Sequence, residues 1–137
     1  MGNYSDIDIA SAWVRFTHAD FESDTYERNF WAFEKLSDYA CDEPERALGI
    51  IIAILEIDDS ETIRGRLAAG PVEDLLGVNG LRVINRIEEF ASSNPTFVHV
   101  FNGVWNSGIE PEIWARVSSL GKRGGAEKAP NAQDTNK

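Results

Sequence analysis

Few residues in this chain have the chemistry for catalysis, and their spacing serves it poorly. There are two histidines and one cysteine. His18 stands in Thr17-His18-Ala19-Asp20 and His99 lies between Val98 and Val100, so neither forms a His-x-x-x-His pair or has a carboxylate at zinc-site spacing. His18 falls near the end of a helical pattern, where a cation complements the dipole, and His99 reads as a core or interfacial histidine. Cys41 precedes Asp42, an acidic setting that raises a thiol pKa, and reads as a small buried residue at a helix end. The sequence has no Gly-x-Ser-x-Gly elbow and no phosphate loop, and Gly77-Val78-Asn79-Gly80 lacks a preceding strand. No catalytic set, metal site or cofactor is expected.

Carboxylates, by contrast, are plentiful. Asp58-Asp59, Glu73-Asp74, Glu88-Glu89 and Asp42-Glu43 are adjacent pairs. General acid–base chemistry needs two carboxyls held in a cleft with their pKa values pushed apart, and Glu73 with Asp74 is the candidate pair for it. The stronger signal is how acid is distributed. The net charge is -10, with 23 acidic and 13 basic residues. Residues 1–64 hold 15 of the acids and only 5 of the bases. Asp20, Glu22, Asp24, Glu27, Glu34, Asp38, Asp42, Glu43 and Glu45 follow closely, interrupted only by Arg28 and Lys35 before Arg46. Such a balance argues against nucleic acid or an anionic membrane as a direct partner. It suits a basic protein surface, towards which it would steer association. Phe21, Tyr26, Trp31 and Tyr39 are interleaved with these acids, and an aromatic inside a charged rim is a common anchor. A solvated acidic face that keeps the protein soluble is the plainer alternative.

The elements that must carry these residues are helices. Hydrophobic residues make up 42% of 137 residues, enough for one core. Their recurrence is helical almost throughout. Ser5 with Asp8 reads as an acidic capping box opening a first helix that buries Ile9, Ala10, Trp13, Val14 and Phe16. A second runs from about Ser23 to Ala40, with Tyr26, Phe30, Phe33, Leu36 and Tyr39 as its apolar stripe and Trp31 beside it. Asp42 and Pro44 open a third, apolar on nearly every face from Ala47 to Ile57, which belongs at the centre of the bundle. Ser60 starts a short helix that Gly70-Pro71 ends. Pro71 then opens another, with Glu73 and Asp74 in a first turn where the dipole favours acid. Asn79-Gly80 breaks the chain again before a helix carrying Leu81, Ile84, Ile87 and Phe90. Asn94-Pro95 caps a helix reaching Trp105, and a last one begins near Pro111. The expectation is an all-α domain of seven or eight short helices over residues 1–120, packed as αα-hairpins and HEAT-like locally. Residues 121–137, free of large apolar side chains, read as a flexible tail.

The segment Ala68-Ala69-Gly70-Pro71-Val72-Glu73-Asp74-Leu75-Leu76 resembles the centre of an uncharacterised family of small bacterial and phage-associated domains with an AAGPLEDLL-like motif. Trp13, Trp31, Asn94-Pro95-Thr96-Phe97 and Gly103-Val104-Trp105 extend the likeness over residues 13–117. Where related sequences have His before the glycine closing the motif, this chain has Asn79. The resemblance implies no activity.

The expected function is therefore a non-enzymatic acidic interaction domain of the cytoplasm. It would bind and inhibit a basic, nucleic-acid-binding or nuclease protein, as immunity proteins and phage-encoded nucleic-acid mimics such as anti-CRISPR proteins do. The partner-binding residues would be the nine acids from Asp20 to Glu45 together with Trp31. Two alternatives stand beside it. One is a ligand-binding protein or enzyme with a pocket near Gly70–Leu76 and Trp105/Trp114; the other is a homo-oligomerisation module. Whether the chain is a monomer or a homodimer stays open.

Overall fold

The computed structural model describes residues 4–106 and 108–124. The fold is all-α, with no strand among the described residues. Helix α1 spans Asp6–His18, α2 Asp24–Asp42 and α3 Pro44–Ile57. Helix α4, Glu61–Leu67, passes through a π-turn at Ala68–Val72 into α5, Glu73–Ala91. Helix α6, Pro95–Val100, ends in a 3₁₀ turn at Phe101–Gly103, and α7 covers Pro111–Gly124. It continues past residue 120; positions 125–137 of the expected tail lie outside the described residues. No helix among the described residues is long and apolar enough to cross a membrane.

Three helix starts follow local chemistry as expected. Ser5 Oγ accepts the Asp8 amide at 3.1 Å while Asp8 accepts the Ser5 amide at 3.3 Å, a closed capping box. Ser23 and Ser60 cap α2 and α4 without the reciprocal bond, their hydroxyls accepting the Tyr26 and Ile63 amides at 3.2 and 3.4 Å. Two expected caps are overturned. Asp42 is the last residue of α2, and Glu43 alone separates α2 from α3, so Pro44 opens α3 without a side-chain cap. Asn94 turns back to donate to the Phe90 carbonyl at 3.0 Å and leaves α6 uncapped.

Helix α3 is the centre. Its Ile50, Ile51 and Ile54 are fully buried, and α1, α2 and α5 all pack on it. The core continues through Ile9 and Trp13 of α1, Leu36 of α2, Leu67, Leu75, Leu76 and Ile84 of the long rod, and Ile113 of α7.

Both expected breaks in residues 61–91 are absent. Pro71 lies inside a continuous helix because the widened π-turn relieves the clash of its ring with the preceding turn. The 3₁₀ turn closes on this place, and a Cβ on Gly103 would lie 3.2 Å from the Ala68 Cβ. Asn79-Gly80 produces a kink instead of an end: Asn79 leaves helical geometry at φ -128° and ψ 25°. Its side chain donates to the carbonyls of Ala40 at 2.8 Å and Cys41 at 3.0 Å. At Gly80 a Cβ would meet Ile113 Cγ2 at 3.1 Å, so glycine is what allows α7 to seat there. The kink also turns Leu81, expected in the core, to solvent, and Val83 is buried instead.

Candidate protein-interaction face

The stripe that α2 buries is not its aromatic one. Asn29, Ala32, Leu36 and Ala40 face the core, since small side chains let the helix approach its neighbours closely. Tyr26, Phe30 and Phe33 are displaced to the flank, half-buried or exposed. There they meet Phe16 at centroid distances of 4.7, 5.7 and 5.4 Å. Phe21 completes the group, 5.3 Å from Tyr26 and edge-on to it. Phe16 is buried, yet neither it nor the other four rings belong to the central core. The result is a satellite cluster of five rings, with Phe21 74% and Phe33 37% exposed.

The turn between α1 and α2 holds Phe21 out. Ser23 donates to the Asp20 carbonyl at 3.0 Å, and Glu22 sits at φ 65°. A side chain in this left-handed region costs about 1–2 kcal/mol. Glycine would avoid that cost, and the chain has glutamate.

All nine expected partner-binding acids are exposed: Asp20, Glu22, Asp24, Glu27, Glu34, Asp38, Asp42, Glu43 and Glu45. Of these nine, only Glu43 has an ion pair to another described residue, at 4.0 Å from Arg46. Glu27, Glu34 and Asp38 share one row of α2 next to the rings, by helical spacing. Asp42, Glu43 and Glu45 continue round the α2–α3 link. Trp31 stands in the same row, between Glu27 and Glu34, on the side turned from the rings. It is half-buried and stacked on Tyr4 with centroids 4.1 Å apart, away from the five rings. Tyr39 is likewise occupied, beneath the Arg46 guanidinium at 4.5 Å, and Arg46 also bonds Asp6 at 2.9 Å. Of the five rings, Phe16, Phe30 and Phe33 read as core in the sequence. The one available clue was the pair of alanines, Ala32 and Ala40, at core spacing on the neighbouring face.

The other chemistry-bearing residues do not assemble into an active site. Cys41 is exposed, not buried, and its thiol pKa is pushed up by partial desolvation and then by Asp74, Asp42 and Asp38. His99 is exposed, which overturns the core half of its reading as a core or interfacial histidine, and it borders a cavity of about 270 Å³ with Glu61, Arg64 and Asn102. His18 pairs with Asp58 at 2.8 Å. No group of three or more His, Cys, Asp or Glu residues is placed to hold a metal among the described residues. Trp105 is 76% exposed, and Trp114 packs against the core. Neither lines the cavity of about 270 Å³ formed by Leu76–Arg82, Glu110 and Ile113 beside the signature segment.

Glu73 accepts the Trp105 amide at 2.9 Å. Asp74 is left with a pKa raised by desolvation and then by Glu73. The expected dipole benefit is missing because the rod runs on through the π-turn, so the amides of a free helix start are not there. A raised carboxyl pKa means the folded state holds its proton more tightly than the unfolded chain. Asp74 therefore destabilises the fold above its folded pKa and has no effect well below the ordinary carboxylate value of about 3.9. Asp74→Asn is expected to raise the urea midpoint at neutral pH and leave it unchanged in acid. The same variant should move the pH midpoint of Cys41 alkylation downward. An unmoved midpoint would show that Asp74 does not act on the thiol.

Comparison with known proteins finds no match among curated proteins or solved structures. Residues 19–125 match a described family of unknown function, DUF6869, and that span contains the α1–α2 turn, the carboxylate row and the signature segment. The chain belongs to this family of unknown function, DUF6869.

Proposed function

We propose that this chain is a non-enzymatic interaction domain that binds a basic protein through the α1–α2 face and blocks its nucleic-acid-binding surface. The observation that carries this reading is the satellite of five rings, exposed at Phe21 and Phe33 and flanked by Glu27, Glu34 and Asp38, which have no ion pair among the described residues. An apolar centre inside a charged rim is the anatomy of a protein–protein hot spot. The carboxylates are also placed against local stability. Asp38 and Asp42 occupy the last turns of α2, which holds no basic residue in its final turn, and the helix dipole disfavours negative charge there. Charges kept at a local cost point to use elsewhere.

On this reading the protein works in the cytoplasm of a bacterial or phage-infected cell, as immunity proteins and phage inhibitors do. The AAGPLEDLL-like segment serves architecture through its π-turn, and Asn79 and Gly80 just beyond it supply the kink and the seat for α7. Inhibition would come from carboxylates occupying a groove built for phosphates.

The test is affinity capture at low salt from the source cells. Native protein and a Glu34→Lys/Asp38→Lys/Asp42→Lys variant run in parallel. A basic protein is expected on the native chain, released by salt or DNA and absent from the variant. Equal capture by both, or no basic protein on either, would overturn the reading.

A further inference from the structure

We infer that the element received by this face is an amphipathic basic helix of the partner. This rests on the interaction reading above and names what docks. Tyr26, Phe30 and Phe33 are spaced i, i+4, i+7 and form one ridge, while Glu27, Glu34 and Asp38 form a second, offset by one residue, in which Trp31 stands between the first two acids. One residue turns a helix by about 100°, so the ridges lie side by side, and Glu27 to Asp38 spans about 16 Å, or three turns. The complement of two parallel ridges, one aromatic and one acidic, is a helix with an apolar row and a neighbouring row of Lys or Arg. An added strand does not fit, because the described residues offer no sheet edge to extend. A second copy of the chain does not fit either, since it would bring the same unpaired acids against themselves.

Phe21 is the anchor. Its ring is the most exposed of the five, leans edge-on against Tyr26 at 5.3 Å, and is held out by the turn in which Glu22 adopts φ 65°. Basic helices of this kind are also the elements with which many proteins enter the major groove of DNA. A partner helix seated here would be withdrawn from nucleic acid.

Two synthetic peptides of one Leu/Lys composition test the inference: one with leucines at i, i+3, i+4, i+7, and one scrambled to destroy the apolar row. Binding to the full chain is followed by fluorescence anisotropy, and peptide helicity by circular dichroism. The amphipathic peptide is expected to become helical and to bind about 10-fold tighter than the scramble. Phe21→Ala should weaken it about 10-fold, which is the worth of one hot-spot ring, without changing the slope of affinity against salt. Glu27→Gln/Glu34→Gln/Asp38→Asn should flatten that slope. Phe21 is exposed, so an unchanged thermal melt will confirm that its variant folds.

Equal binding of both peptides, with Phe21→Ala silent, overturns helix docking and leaves the acidic-face reading standing. Binding of neither peptide, with a basic protein still captured from cells, has the same consequence. Binding of neither and no capture removes both readings. A dimer of the native chain that Phe21→Ala dissociates would put a second copy on the face and overturn the inference.

Discussion

Ile51→Ala is expected to destabilise the protein by about 2–5 kcal/mol. Ile51 is fully buried in α3, and so are Ile50 and Ile54. Helix α3 is surrounded by α1, α2 and α5, and α2 packs in turn on both α1 and α5. A void there has no mobile wall to collapse into it, which places the cost of truncation high in the range for large-to-small changes. The equilibrium urea midpoint should fall with the m-value unchanged. Ile57→Ala, at the 44% exposed end of the same helix, should cost far less. Equal losses at the two positions would mean that α3 is not the hub. In Phe33→Ala the loss should again be small, because the ring lies outside the central core and is already 37% exposed.

The second large effect belongs to Asn79. Asn79→Ala is expected to cost about 1–3 kcal/mol, the range for stranding partly buried polar groups. Its amide donates to the Ala40 and Cys41 carbonyls, which stand at the end of α2 where Asp38 and Asp42 supply only negative charge. Removing the donor leaves those carbonyls facing acids. Asn79→Asp should cost at least as much, because it replaces the donor with another acceptor. Amide hydrogen exchange should quicken in the last turn of α2, and at Glu43, whose N–H closes that turn on the Tyr39 carbonyl at 2.8 Å. If exchange in that turn stays slow while stability falls, the loss comes from the backbone of the kink alone.

Asn79 also marks the limit of what residue order reveals. Ser5, Ser23 and Ser60 could be read as helix starts because a cap is settled by neighbours three positions away. The apolar run of α3 was legible as the hub for the same local reason. Asn79 and Gly80 read as a break because the contacts that carry the chain through lie far off in sequence, at Ala40, Cys41 and Ile113. Pro71 was misjudged similarly, since only the rest of the fold selects a π-turn over a termination. The candidate face divides along the same line. Its acids were legible because unpaired carboxylates stay in water. Its rings were legible only in part. Phe21 and Tyr26 stand among the acids, whereas hydrophobicity assigns Phe30 and Phe33 to the interior, a place that close packing gives to Ala32 and Ala40. Trp31 lies in the acidic row, but the stacking of its ring on Tyr4, which precedes α1, could not be read from residue order.

The π-turn also shapes how this family can drift. A π-turn is an α-helix holding one surplus residue in a wider turn, so α4 and α5 keep the faces of one rod on either side of Ala68–Val72. Loss of Pro71, the residue whose ring needs the wider turn, would restore an ordinary helix and leave Leu75, Leu76, Val83, Ile84 and Ile87 on the buried side. The same loss a turn later, in Glu73–Gly77, has no surplus to draw on. It would rotate the rest of α5 by about 100° and carry Arg82 and Arg86, now in solvent, toward the core. A single-codon deletion is therefore absorbed at the π-turn and nowhere else along the buried stretch of this rod.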